Sequence, residues 1–503
     1  MFRQAARSST LTATTASILL RRNLCPRTLL AFQRRAYTSA SQSGQTGTSS
    51  AYLKWGGLGA VTLLGSGAYI SSSSSQAEGD PPKAAASEHI PTINQLASED
   101  DIVVRSPIKA LSLKDADEKL RESARTFVFD SKDGAKGRID VVCLPSNHPK
   151  EDDWSVGTAK GIGGAATVYA GVYDGHVGWA MSTILREALI PYVSTALSRL
   201  SSANSEEAVA AAIKTAFTKL DDRAMNTGTE VAEKLGAGSA EAVAALAPAF
   251  AGSCALLTIY DPIASVLRTA VAGDSRAVLG YRSATSDDFQ MEELSLDQTG
   301  LNKTEADKIS NEHPGEKELI LDPNSGRLLG MAVTRSFGDS RWKWPLELLQ
   351  TLRESHPGNV PRPNYKTPPY MTAEPEVTTR VVSSDDFVIL ATDGLWDHIS
   401  SEDAVKCVSR WLQARKANKP EAQPPTQGSM EVSKLGWSYW NSTPEDFIIE
   451  DLDNASVCLV KNAFGGARRE LFRTVMTVRE PASRYFRDDV TVQVIFFKDP
   501  YRK

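Results

Sequence analysis

Short β-type runs that meet an acidic turn recur along this chain, and they restrict it to folds in which several strand ends converge. Residues 167–173 (TVYAGVY) lead into Asp174-Gly175-His176. Residues 386–392 lead into Asp393-Gly394-Leu395-Trp396-Asp397, and 266–271 (VLRTAV) into Gly273-Asp274-Ser275-Arg276. Asp488-Asp489 precedes the run 490–497 (VTVQVIFF), and Glu151-Asp152 lies beyond the run 138–144 (RIDVVCL). One Asp-Gly pair is an ordinary turn, in which Asp bonds nearby backbone and Gly takes positive φ. Five acidic turns in one chain indicate more, because Asp and Glu oxygens are the ligands of hard divalent cations.

Between these strands, helical periodicity covers 179–200 and 208–224. A further helix is expected over 401–414, with Ser400 as its cap and Asp403 three positions on. The Ala-rich stretch 236–249 reads equally as helix or insert. Strands are also expected over 252–260 and 277–280. Strand, paired helices, several strands and a final strand make a layered arrangement of helices on sheets. The lack of regular strand–helix alternation excludes a doubly wound sheet. Gly161–Gly164 (GIGG) lacks the strand and helix that a dinucleotide fingerprint needs, and reads as a turn.

Charge is unevenly distributed. Residues 1–54 hold seven Arg, one Lys and no Asp or Glu, which leaves 48 basic against 61 acidic residues in the remainder. An acidic body argues against nucleic-acid binding. The Arg- and Ser-rich, acid-free residues 1–38 read as a mitochondrial targeting presequence. Residues 51–70 read as a transmembrane anchor, with Trp55 and Tyr69 at interface positions. Such an anchor in the inner membrane turns the body toward the intermembrane space; without it the body is in the matrix. Residues 71–94 form a Ser- and Pro-bearing linker. The folded domain is expected over 95–503, with insertions around 225–250, 341–372 and 415–450; Trp437 and Trp440 are expected to dock on the body. The five Cys have neither disulfide-framework nor zinc spacing, and Cys254 and Cys407 read as core residues.

Two cations about 4 Å apart, bridged by an Asp, convert a shared water to hydroxide for in-line attack on a phosphate ester. The leaving alkoxide then needs a proton, and His176 is placed to give it.

These motifs, in this order, resemble the metal-dependent protein serine/threonine phosphatases of type 2C. Asp174-Gly175-His176-Val177-Gly178 is similar to that family's first metal motif and Asp393–Asp397 to its late one. Arg335-Ser336-Phe337-Gly338-Asp339 is similar to its Arg-x-(Leu/Phe)-Gly-Asp segment, and Asp488-Asp489-Val490-Thr491-Val492 to its terminal motif. The likeness runs from about residue 135 to 500. It implies an α+β fold, a central β-sandwich of two mainly antiparallel sheets flanked by helices.

It also implies roles. Asp174 bridges two Mg²⁺ or Mn²⁺ ions, Gly175 offers its carbonyl, and Asp393 and Asp488 complete the second ion's ligands. Glu151 and Asp152 lie near the metals, directly or through water. Asp274 and Asp397 match positions linked to a third, weaker ion; for Asp274, a turn cap or a bridge to Arg276 is the alternative. Asp339 is expected to be structural, fixing Arg335. Asp453-Asn454-Ala455-Ser456-Val457 imitates the terminal motif, but Asp453 is expected to cap a helix.

The Pro145–Pro149 stretch lacks an Arg that many family members carry before the acidic pair. In this it resembles the fungal mitochondrial and pyruvate dehydrogenase phosphatase branch. That branch implies a phosphoprotein substrate, the phosphorylated E1α subunit of pyruvate dehydrogenase. Another intermembrane-space phosphoprotein, or a catalytically silent phosphatase-like binding protein, are the alternatives.

Overall fold

Period-2 alternation sorts the strand residues into two faces, and the faces build two sheets. In the computed structural model, residues 108–131, 134–283, 288–356, 360–421 and 440–501 are described. The expected presequence (1–38), the linker (71–94) and Trp437 lie outside them.

Among the described residues fourteen strands follow in chain order: β1 Arg125–Asp130, β2 Lys136–Leu144, β3 Asp153–Lys160, β4 Ala166–Tyr173, β5 Gly175–His176, β6 Gly252–Ser253 and β7 Ala255–Asp261. Then come β8 Val266–Ala272, β9 Arg276–Arg282, β10 Phe289–Glu293, β11 Phe337–Gly338, β12 Glu376–Val381, β13 Phe387–Ala391 and β14 Val490–Phe496. One sheet has the order β1-β2-β14-β13-β9-β10, the other β12-β8-β7-β4-β3, and β11-β6-β5 form a small third sheet. Their ladders are antiparallel.

Ile139, Val141, Val168, Val172, Leu256, Val271, Leu279, Val388 and Leu390 form one buried cluster, drawn from the facing sides of the two large sheets. The opposite side of the six-stranded sheet presents Val142, Val278, Ile389, Val492 and Val494 to the helices Ser401–Ala417, Ala455–Ala463 and Arg469–Thr477. The opposite side of the five-stranded sheet presents Tyr169, Tyr173, Leu257 and Ile259 to Ala180–Leu197 and Glu206–Leu235. The architecture is the α+β sandwich with flanking helices that the family resemblance implied.

Several local expectations meet the structure directly. Ser400 caps Ser401–Ala417, its side chain accepting from the Asp403 amide. Residues 240–250 are helical, and Trp440 docks, stacking on His398 at 3.8 Å and donating to the Ala463 carbonyl at 2.8 Å. The helix at 455–463 is capped by Asn454, which accepts from the Val457 amide at 3.0 Å, rather than by Asp453. Asp453 pairs with Arg121 instead.

The transmembrane expectation is corrected. No helix among the described residues is long and apolar enough to cross a membrane. The longest, Glu206–Leu235, has 30 residues but carries Lys214, Lys219, Asp221, Asp222 and Arg223 in its middle, against the roughly 20 apolar residues a span needs. Residues 51–70 themselves lie outside the described residues.

Candidate active site

Antiparallel register brings the acidic turns to one end of the sandwich. Leu144 pairs with Val490, Tyr173 with Asp153, and Ala272 with Ala255. The segments just beyond β2, β4, β8 and β13 therefore meet those just before β3 and β14. Asp174, Asp274 and Asp393 each place a carboxylate oxygen within 4.8 Å of the others.

Three carboxylates this close repel one another. Burial and the charges of Asp393, Asp152 and Asp274 hold Asp174 well above the usual carboxylate range. Burial and Asp393 push Asp274 up to about 7. Burial also raises Asp393, whose Oδ1 is buried without a hydrogen-bond partner. An orphaned, buried carboxylate oxygen in an all-oxygen acidic set fits a hard divalent cation. Small residues open the space around the set. A Cβ at Gly175 would collide with the Glu151 carbonyl, and one at Gly394 with the Asp489 carbonyl.

The other expected ligands stand around this trio. Asp397 lies at the exposed rim, its carboxyl pushed up to about 6 by partial burial and by Asp393. Asp488 accepts from the Asp489 amide at 2.6 Å and is ion-paired with Arg484. Asp152 is buried and accepts from the Thr392 and Thr491 hydroxyls at 3.0 and 2.7 Å. Glu151 accepts from the Gly178 amide at 2.5 Å and from the Asn147 side chain at 3.1 Å. Glu151 and Asp152 thus use their carboxyls to hold the loops around the trio.

Asp274 makes no bridge to Arg276, which forks onto Asp297 at 2.9 and 2.5 Å. It accepts from the Cys254 thiol at 3.3 Å. His176 Nε2 lies 2.8 Å from Asp339 Oδ2, and Ser336 donates to the same oxygen at 2.5 Å. Burial opposes charge on the imidazole, but Asp339 outweighs it and holds His176 above the usual histidine range. Asp339 therefore serves His176, not Arg335. Arg335 forks onto the buried Glu305, with its Nε 2.9 Å from Oε2.

Two contributors were missed from sequence. Asp489 accepts from the amides of Ser146, Asn147, Glu151 and Asp152 and from the Ser146 hydroxyl, so it ties down the whole 146–152 loop. Its place beside Asp488 was the available signal. Gly252, on β6, leaves the room into which His176 and Asp339 pack. No single-residue signal marked it.

A family profile for protein phosphatase 2C matches residues 159–430. This chain belongs to the protein phosphatase 2C family. It is 36% identical over 391 residues to a protein phosphatase 2C homolog of Schizosaccharomyces pombe, covering 76% of this chain and 84% of the relative. It is 32% identical over 403 residues to the mitochondrial pyruvate dehydrogenase (acetyl-transferring)-phosphatase 1 of Saccharomyces cerevisiae, covering 72% and 69%. The Homo sapiens protein of that name is 30% identical over 425 residues, covering 70% and 76%. As a protein phosphatase 2C member, the chain is a metal-dependent serine/threonine phosphatase, and the carboxylate trio is its candidate cation site.

Proposed function

We propose that this phosphatase acts in mitochondria on the phosphorylated E1α subunit of pyruvate dehydrogenase. The support is its similarity to two mitochondrial pyruvate dehydrogenase phosphatases over more than two thirds of each, together with the Arg-rich, acid-free residues 1–38.

For the chemistry, the observation that carries the reading is the trio Asp174, Asp274 and Asp393 beside the His176–Asp339 pair. Asp174 and Asp393, with Asp488 and the Gly175 carbonyl, would hold Mg²⁺ or Mn²⁺ ions, and Asp274 and Asp397 would serve a further, weaker one. Ions bound there supply Lewis acidity and a nucleophile at neutral pH. Asp339 orients His176 and favours its protonated form. His176 then donates that proton to the departing serine or threonine oxygen.

The test compares the phosphorylated E1α subunit with an unrelated phosphothreonyl peptide, each with Mg²⁺ or Mn²⁺. A kcat/KM about tenfold or more in favour of E1α is expected. Equal values would remove the substrate assignment. Amino-terminal sequencing of the protein from isolated mitochondria tests the address; an intact residue 1 there would count against a cleaved presequence.

A further inference from the structure

The site described so far is strongly anionic, yet its substrate is a phosphate ester. Divalent ions on these carboxylates would face part of the phosphoryl group; a side-chain cation for its remaining oxygens is not supplied by Pro145–Pro149, which contains no Arg or Lys. Most nearby cations are committed elsewhere. Arg276 forks onto Asp297 and donates to Ser401. Arg487 is buried and donates to the carbonyls of Leu144, Pro145 and Asp488. Lys150 is held by the Asp152 carbonyl and Asp153.

Arg484 differs. Its ion pair is to Asp488, and its side chain is 42% exposed. Its backbone belongs to the short turn Ala482–Tyr485. That turn is tied to the 146–152 loop by the Ser483 hydroxyl, which donates to the Ser146 carbonyl at 2.5 Å, and is closed on itself by the Phe486 and Arg487 amides, which donate to the Ser483 carbonyl. The base of the side chain is therefore anchored while its head stays open to solvent. Its charge also reaches Asp393 and Asp397, lowering both against the burial that raises them. A guanidinium presents a planar fork of donors that matches two phosphate oxygens, which an ammonium cannot copy.

We propose that Arg484 binds the phosphoryl oxygens of the substrate and of the product phosphate, with Asp488 as its partner when no phosphate is bound. This rests on the phosphate-ester site proposed above. Arg484 is a substrate-binding residue supplied from the segment just before β14.

The experiment measures product inhibition by inorganic phosphate in the wild type, Arg484→Ala and Arg484→Lys, alongside KM, kcat and the Mg²⁺ activation constant. The expected result for Arg484→Ala is an inhibition constant and a KM raised about tenfold or more. The Mg²⁺ constant should not rise, since removing the charge paired with Asp488 favours a cation there, and Arg484→Lys should recover only part of the phosphate loss. An unchanged inhibition constant overturns the proposal. So does a change confined to the Mg²⁺ constant, which would make Arg484 only a counter-charge for Asp488. If the wild type hydrolyses no phosphopeptide, the phosphatase reading fails by itself, and calorimetric titration of phosphate into both proteins decides on Arg484. Weaker binding by Arg484→Ala supports the assignment; equal binding, or none in either, overturns it.

Discussion

His176 and its partner illustrate how a side chain acquires a task from its neighbours. A histidine fixed by a buried carboxylate, above its usual range, is suited to giving a proton rather than taking one. Replacing His176 with Ala should lower kcat on a phosphothreonyl peptide about 10²–10⁴-fold. The loss should shrink toward unity on p-nitrophenyl phosphate, whose leaving group departs without a proton. Equal losses on both substrates would take the acid role away from His176. Asp489 answers to a different physics. Its carboxylate accepts from four backbone amides of the 146–152 loop. Asp489→Ala would leave these donors, buried at Ser146 and Asp152 and half-buried at Asn147 and Glu151, without their acceptor, at a cost of about 1–3 kcal/mol for each that finds no other partner. Chemical denaturation should show a loss of at least about 3 kcal/mol. A loss under about 1 kcal/mol would mean that water replaces the carboxylate.

The elements that sequence reveals and those it hides divide along a physical line. The interior strands β2, β4, β7, β8, β9, β13 and β14 are legible because they bury both faces and read as apolar runs. The edges of the two large sheets, β1 and β10, β12 and β3, are not. Burial explains this: β12 (EVTTRV) and β10 (FQMEE) are half-buried or exposed throughout, so selection for apolar residues is weak. The acidic turns were legible for the same reason as the interior strands, since each interrupts an apolar run. What joins them was not. Asp339 looked like a partner for Arg335 because both share one motif, yet the backbone at Asp339 is left-handed, with φ 54°, and its carboxylate meets His176 across β6, which lies between β11 and β5. At this scale, the buried Arg335–Glu305 fork ties the Lys303–Glu312 helix to the segment before β11. Burial raises the Glu305 carboxyl, but Arg335 outweighs it and the net direction is downward. A lowered folded-state pKa stabilises above the unfolded value of about 4.3 and is lost as pH falls through the folded value. The stability gap between wild type and Glu305→Gln should therefore be full at pH 6–7 and narrow only as pH falls below about 4 in urea titrations. A gap that widens on acidification would reverse the sign.

For the molecule as a whole, the candidate cation site couples ion binding to stability. The clustered carboxylates repel one another, and a divalent ion that binds only the folded state adds RT ln(1 + [L]/Kd), about 2.7 kcal/mol at a hundredfold excess over Kd. Protein stripped with a chelator should unfold at a lower temperature and recover on adding Mn²⁺ or Mg²⁺. Asp393→Asn should abolish that recovery while leaving the stripped protein at least as stable as the stripped wild type. Equal recovery in both would place the ions elsewhere. Strand order carries a separate implication, one of timing. β14, formed from residues 490–496, lies between β2 and β13 in the middle of its sheet, and Asp488 and Asp489 stand at its entrance. A ribosome delivers that strand after the thirteen others named above. Until it arrives, the nascent chain has a gap through the centre of one layer and an unsecured 146–152 loop, so activity waits on this one strand.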